Sequence, residues 1–235
     1  MANNIRFRHG FKAVTRTERT TTDTPIRTRG KQRLGDVGPE HILGRNLLRR
    51  IGKGRDAIVL SAHSAVRPAA MLAAASAQVE ADESGVQALI IVPAANEVQQ
   101  IATQAGEGPA RFVPLGPAES PREEAQAVSS GPAVVITTPE RLIDHIRREN
   151  VDISRVSVCI VEPPDEASIG QFSADLHFIF TKFDRPPVTV LFQSDPMRSV
   201  GEIEELMRYP ATFHLRTSTG RVTRLVETTH DRYGG

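Results

Sequence analysis

The basic side chains near the N-terminus offer the clearest chemistry in the sequence, because arginine and lysine bind phosphate through charge and hydrogen bonds. Residues 1–33 carry nine of them against Glu18 and Asp23, so this segment has a net charge of +7 while residues 34–235 total −6. Phe7 and Phe11 lie between basic positions, where their rings could stack on bases. We therefore expect a cationic arm that binds a polyanion such as RNA through Arg6, Arg8, Lys12, Arg16, Arg19, Arg27, Arg29, Lys31 and Arg33.

The arm has no apolar periodicity and contains seven threonines, so it cannot bury enough surface to offset the entropy of ordering it. We predict that residues 1–34 are disordered in isolation and that residues 35–235 form one folded domain. Two other interpretations stay open for the arm. It is a solvated tail that improves solubility, or a segment that docks on an acidic protein.

Other reactive residue types do not form a recognisable catalytic or metal site. His63, Asp144 and His145 have a spacing that matches neither a metal-ligand set nor a catalytic triad, so we expect no metal and no catalytic residue here. Cys159, the single cysteine, lies in an aliphatic run without a disulfide partner, which favours a reducing compartment. No apolar stretch approaches the roughly 18 residues of a membrane span, and no signal peptide is evident. The sequence predicts a cytoplasmic protein with no membrane partner.

The elements that would position the functional residues alternate between short aliphatic runs and helical segments. Most runs are continuously apolar, which is typical of parallel strands covered by helices on both faces. This order predicts a doubly wound α/β domain with a mostly parallel sheet of about seven strands and ligands at their carboxyl ends. The predicted strands are Ala57–Ser61, Ala88–Val92, Arg111–Leu115, Ala133–Thr137, Val156–Val161, Val188–Phe192 and Ala211–Arg216. The predicted helices are Glu40–Ile51, Pro68–Val79, Ala95–Ala105, Arg122–Val128, Pro139–Glu149, Ser168–Phe183 and Met197–Arg208.

Four stretches of the domain resemble the motifs of one family, in order and at the family's spacing. Residues 54–59 look like its GRD segment, 88–101 like its PTREL strand and helix, 134–145 like its TPGRL motif, and 190–196 like the strand that ends in SAT. Residues 38–228 thus resemble the first RecA-like domain of DEAD-box RNA helicases. The resemblance implies a RecA-like fold of the P-loop NTPase type.

The resemblance also locates a nucleotide site, and its phosphate loop is degenerate. A phosphate loop (Walker A) needs glycines that let backbone N–H groups surround the phosphates, a lysine and a metal-binding hydroxyl. Residues 61–68 stand in its place and contain no glycine. Arg67 falls at the lysine position and Pro68 at the hydroxyl position, where proline also removes a backbone N–H.

The second half of the implied site has changed as well. The segment matching the DEAD signature reads Glu162-Pro163-Pro164-Asp165, so proline replaces the glutamate that orients the attacking water. Residues 193–195 depart from SAT, and Gly44 lies near the position of the adenine-reading glutamine. The chain ends where a family member would begin its second RecA-like domain. We therefore expect a pseudoenzyme that uses neither ATP nor Mg²⁺, with a vestigial nucleotide site at Ser64, Arg67, Glu162 and Asp165.

The family's RNA contacts fall on residues 93–97 and 138–142 of this chain. The resemblance implies that Thr138 and Arg141 bind the RNA backbone, yet Glu140 replaces a glycine there and its carboxylate would repel phosphate. The alternative is that Thr138 caps the helix opened by Pro139 and that Arg141 makes a surface ion pair.

The favoured interpretation is a pseudo-helicase that binds RNA or a ribonucleoprotein without turnover. Two alternatives remain open. The first is a protein scaffold that engages a helicase or another RNA-processing protein. The second is a helicase-like protein that binds ATP weakly through Arg67 and Glu162.

Overall fold

The computed structural model describes residues 39–61, 64–80, 82–105, 111–116, 120–164, 168–194, 200–218 and 221–228. Helices and strands alternate along these segments. The strands are β1 (Ala57–Leu60), β2 (Ala88–Ile91), β3 (Phe112–Leu115), β4 (Val134–Thr137), β5 (Val158–Val161), β6 (Val188–Gln193), β7 (Ala211–Ser218) and β8 (Arg221–Thr228). The helices are α1 (Pro39–Gly52), α2 (Arg67–Ser76), α3 (Ala95–Ala102), α4 (Pro121–Ser129), α5 (Pro139–Arg147), α6 (Ile169–Phe180) and α7 (Gly201–Glu204), and a 3₁₀ turn (Ser64–Val66) precedes α2.

These strands form one sheet in the order β3-β4-β2-β5-β6-β1-β7-β8. Strands β1 to β7 are parallel to one another, which confirms the doubly wound sheet of seven predicted strands. Strand β8 was not predicted, and it pairs antiparallel with β7. Its residues mix charged and apolar types and no helix separates it from β7, so the pattern of buried parallel strands does not reveal it.

The sheet is buried on both faces, as the continuous apolar runs predict. In β2, Ile90 packs in a core with Leu47 of α1 and Met71 of α2, while Leu89 and Ile91 pack on the opposite face. That second face carries α4, α5 and α6, with Leu142 and Leu176 among its buried residues. Because successive residues of a strand point to opposite faces, each strand contributes to both cores.

Asp56 ties the start of β1 to two other parts of the fold. Its side chain is 1% exposed, and Oδ1 accepts a hydrogen bond from the backbone N–H of Thr189 at 2.8 Å. Oδ2 accepts a second hydrogen bond from the backbone N–H of Arg208. The segment that resembles the GRD motif therefore has a structural task, because its carboxylate satisfies two backbone donors.

Two predicted helices differ in the structure. Helix α1 is kinked at Gly44, where φ is 68° and ψ is 153°, a conformation that favours glycine. The predicted helix Met197–Arg208 is helical only over α7 (Gly201–Glu204) among the described residues. It does not reach its predicted end, because the backbone N–H of Arg208 donates to Asp56 Oδ2 instead of pairing within a helix. Tyr209, which precedes a proline, has a φ of 49°.

Strand β3 forms one edge of the sheet and contains Pro114, which lies opposite Ile136 of β4. Proline is tolerated at a sheet edge because its missing N–H then faces away from the neighbouring strand. Across the described residues, no helix has the length and apolar character needed to span a bilayer.

Candidate functional site

The four central strands β2, β5, β6 and β1 bring the segments that follow them to one edge of the sheet. A cavity of about 370 Å³ opens there, lined by residues that include Arg67, Glu97, Glu162, Pro163 and Gln193. The structure therefore brings together Arg67 and Glu162 of the predicted vestigial site. Ser64 begins the 3₁₀ turn before α2, while Asp165 lies outside the described residues.

Arg67 and Glu162 form an ion pair across this cavity. Arg67 Nε lies 2.6 Å from Glu162 Oε1, and the two side chains are only 16% and 14% exposed. Arg67 Nη1 also lies 3.4 Å from the carbonyl oxygen of Ser61, to which it donates a hydrogen bond. The guanidinium of Arg67 is therefore engaged by the chain's own groups.

The environment of Glu162 makes its carboxyl group a weaker acid than an exposed glutamate. Burial raises the pKa of this carboxyl group to about 7, with a smaller upward contribution from Glu97, while Arg67 opposes the shift. Glu97 belongs to the first turn of α3, where its Oε2 accepts a hydrogen bond from the backbone N–H of Ala94 at 3.1 Å. With a pKa of about 7, we expect both the ionised and the protonated form of Glu162 near neutral pH.

Two prolines stand where the resemblance places functional side chains: Pro163 lines the cavity, and Pro68 follows Arg67 in α2. Pro68 is the second residue of α2 and is buried, so the start of this helix offers one backbone N–H fewer to an anion. Pro163 is also buried, directly after Glu162. Neither ring can hold a metal ion or orient a water molecule.

Gln193 is a site residue that sequence reasoning treated only as a departure from SAT. Its side chain is 4% exposed, and its Nε2 has no hydrogen-bond partner among the described residues. A buried amide without a partner is uncommon in folded proteins. No pattern in the sequence predicts this, because the burial of Gln193 depends on the strands and helices that surround β6.

A second, larger cavity of about 680 Å³ lies between the N-terminal end of α5 and helix α6. We call it the α5–α6 groove, and its lining includes Pro93, Thr138, Arg141 and Phe172. Three acidic residues also line it, namely Glu140, Asp144 and Asp175.

Thr138 caps α5, as predicted. Its Oγ1 accepts a hydrogen bond from the backbone N–H of Arg141 at 3.4 Å, and Pro139 occupies the first helical position. This arrangement satisfies one of the N–H groups that a helix leaves free at its start.

Arg141 makes an ion pair, but its partner is buried rather than at the surface. Glu124 Oε2 lies 2.7 Å from Arg141 Nε and 2.5 Å from Nη2. The Glu124 side chain is fully buried, and the same oxygen lies 2.9 Å from His145 Nε2. No pattern in the sequence links Glu124 to Arg141, since the contact arises from the packing of α4 against α5.

The remaining residues singled out in the sequence are the histidine and acidic residues and the basic residues of the arm. Among the described residues, no group of three or more histidine, cysteine, aspartate or glutamate side chains is arranged to hold a metal ion. His145 is buried beside Glu124, and Asp144 pairs with Arg148 at 3.1 Å. The nine basic residues of the arm lie outside the described residues.

Comparisons with known proteins agree with this fold and these motifs. The model of the family described as DEAD/DEAH box helicase matches residues 46–198. The DEAD-box ATP-dependent RNA helicase CshA of Bacillus cereus is 25% identical over 157 residues, covering 62% of this chain and 28% of that protein. The ATP-dependent RNA helicase DeaD of Mycobacterium tuberculosis is 25% identical over 182 residues, covering 74% of this chain and 32% of that protein. This chain thus matches about a third or less of the length of these relatives.

Solved structures show the same fold. A DEAD box protein from the hyperthermophile Methanococcus jannaschii superposes with a TM-score of 0.61 at 18% identity, over 73% of this chain and 48% of that one. Dbp5 of S. cerevisiae, solved bound to Gle1 and IP6, gives a TM-score of 0.58 at 14% identity, over 69% of this chain and 42% of that one. With the RecA-like sheet, the ordered motifs and a family model that matches most of the chain, this protein belongs to the DEAD/DEAH box helicase family.

Proposed function

We propose that this chain is a binding module for RNA or a ribonucleoprotein that does not turn over ATP. The observation that carries the proposal is the Arg67–Glu162 ion pair, with a 2.6 Å contact in the cavity to which the resemblance assigns the phosphate loop. A triphosphate would have to separate these two side chains before it could use Arg67.

Three further features support the loss of ATP turnover. The loop of residues 61–68 has no glycine, so its backbone cannot close around phosphates as glycine-rich loops do. Pro68 and Pro163 supply neither a metal ligand nor a base. Removal of one preorganised contact commonly costs about two to three decades in rate, and several are changed here.

The charge distribution and the relatives support RNA as the partner. Both relatives named above are RNA helicases by name, and the family membership of this chain is shown. Residues 1–33 carry a net charge of +7 while the rest of the chain carries −6, so the excess positive charge that attracts phosphate is concentrated in the arm. We propose the cytoplasm as its compartment, where the buried thiol of Cys159 stays reduced.

Calorimetry tests the nucleotide part of this proposal. The full chain is titrated with Mg-ATP, beside a relative such as CshA as the positive control. We expect no binding heat from this chain. Micromolar affinity, or ordered phosphates near Arg67 in a nucleotide-soaked crystal, would overturn the proposal.

RNA binding by the full chain and by a variant without residues 1–33 tests the other part. Binding through several phosphates must weaken steeply as salt rises, and the deletion should remove most of the affinity. Equal affinity of both proteins for a generic single-stranded RNA would show that the arm is not the RNA-binding element.

A second candidate function has one observation in its favour. The α5–α6 groove is lined by Glu140, Asp144 and Asp175, which favours a basic protein segment over a phosphate backbone. A scaffold that engages a helicase or another RNA-processing protein would use this surface. Crosslinking in cells followed by purification separates the candidates, because it recovers either RNA or a protein partner.

A further inference from the structure

Glu124 of α4 is fully buried, and one of its oxygens makes three polar contacts. Oε2 lies 2.7 Å from Arg141 Nε, 2.5 Å from Arg141 Nη2 and 2.9 Å from His145 Nε2. Its other oxygen, Oε1, has no hydrogen-bond partner among the described residues. The contacts thus concentrate on the two α5 side chains, which are one helical turn apart.

These contacts change what Arg141 can offer to a ligand. An arginine binds phosphate by presenting its positive charge and its N–H donors. Here Glu124 Oε2 accepts a hydrogen bond from Arg141 Nε, and its negative charge, 2.5 Å from Nη2, neutralises the guanidinium. Arg141 lines the α5–α6 groove and is 24% exposed, while its partner is completely buried behind it.

The other charged groups that line the groove do not compensate for this neutralisation. Glu140 is exposed at the first turn of α5, Asp175 lies on α6, and Asp144 pairs with Arg148. With Arg141 neutralised, the formal charge that remains in the groove lining is negative. Such a surface disfavours a phosphate backbone.

We propose that Glu124 is a positioning residue that withholds Arg141 from RNA phosphate. Under its control the α5–α6 groove binds an RNA backbone weakly, and most affinity rests with the basic arm. This inference rests on the proposed RNA-binding function, and it concerns a residue that no motif identifies.

Glu124→Gln is the suitable change because the amide keeps the shape of the side chain and an oxygen that still accepts hydrogen bonds from Arg141 and His145. It removes only the negative charge. Glu123→Gln is the matched control, because it lies on the same helix and changes the net charge equally. Glu123 is exposed, and glutamine there can still accept the hydrogen bond from the Ser120 backbone N–H that closes the capping box.

The experiment measures binding of a fluorescent oligouridine of about 12 nucleotides to the full chain by anisotropy, from about 50 to 200 mM salt. We expect Glu124→Gln to bind the RNA roughly three- to tenfold more tightly than the wild type. The slope of log K against log salt concentration should also be steeper by about one. Glu123→Gln and Arg141→Gln should match the wild type. The double variant Glu124→Gln with Arg141→Gln should lose the gain, because Glu124 acts through Arg141. Urea unfolding confirms that each variant is folded.

The outcomes separate the two proposals. If the wild type binds RNA and Glu124→Gln behaves like Glu123→Gln, Glu124 is merely structural and this inference is wrong, while the proposed function stands. A gain that persists without Arg141 also overturns the inference. If Glu124→Gln binds RNA although the wild type does not, the inference holds and the proposed function fails. If no variant binds RNA, both are wrong.

Discussion

Arg67 at the start of α2 and Glu162 directly after β5 are far apart in the sequence, yet their charged atoms lie 2.6 Å apart and both side chains are largely buried. The segments that follow β1 and β5 bring the two side chains together at one edge of the sheet. Because each charge stabilises the other, a change of Arg67 should alter the protonation of Glu162, and a change in the protonation of Glu162 should alter the stability of the fold.

The pH dependence of folding provides the first prediction. The pKa of Glu162 rises from 4.5 to about 7 on folding, so the folded state binds more protons than the unfolded state in this range. The stabilisation is complete below about pH 4.5 and is lost as the pH rises through 7. We expect the free energy of unfolding of the wild type, compared with Glu162→Gln, to fall by on the order of 2–3 kcal/mol between about pH 5 and 8.

Urea unfolding at several pH values measures this difference. Glu202→Gln, an exposed change on α7, serves as the control and should follow the wild type. Parallel profiles for the wild type and Glu162→Gln would contradict the raised pKa.

The second prediction concerns the removal of the cation. Arg67→Ala leaves the Glu162 carboxylate buried without its partner, and we expect it to cost about 2–4 kcal/mol of unfolding free energy near pH 8. The cost should be smaller near pH 5, where Glu162 is already protonated. Arg155→Ala is the comparison, since its ion pair with Glu83 is 48% and 43% exposed and is worth about 1 kcal/mol or less. Equal costs for both variants would show that burial of the Arg67 pair has no energetic effect.

The third prediction concerns Asp56, whose carboxylate accepts hydrogen bonds from the backbone N–H groups of Thr189 and Arg208. Asp56→Ala leaves both donors without a partner, and we expect it to lower the free energy of unfolding by about 2–4 kcal/mol. Asp184→Ala, at an exposed position, should stay within about 0.5 kcal/mol of the wild type. A small effect of Asp56→Ala in chemical denaturation would mean that these hydrogen bonds are replaced.

The fourth prediction concerns Thr138 as a helix cap. Thr138→Ala should cost about 1 kcal/mol, and Thr138→Ser should restore most of it, because serine also accepts the hydrogen bond from the Arg141 N–H. We expect neither change to alter RNA affinity by more than about twofold, since this hydroxyl is already engaged. Loss of RNA binding in Thr138→Ala at unchanged stability would instead assign Thr138 to the RNA contact.

The parallel strands could be predicted because a strand covered on both faces is apolar at every position, as β2 and β5 are. Strand β8 escaped because a strand that extends a sheet by a hairpin needs no such pattern. The end of the helix after β6 was predicted too late because Met207 and Arg208 are compatible with a helix. The hydrogen bond from the Arg208 backbone N–H to Asp56 depends on a residue about 150 positions away, so the local sequence does not reveal it.

The candidate site could be located in part. Arg67 and Glu162 were identified because they stand in motifs whose order along the chain fixes which strand ends they follow. Glu124 and the buried amide of Gln193 were not, since their roles depend on which helices pack together and which side chains become enclosed. Patterns within one segment carry no information about such contacts.

Pro114 makes the edge strand β3 less able to pair with a strand of another molecule. An exposed sheet edge can recruit a strand from another molecule, and each ladder of this kind needs backbone donors along the edge. The proline ring interrupts those donors in a strand of only four residues. The β3 edge is therefore a poor template for intermolecular β-sheet growth.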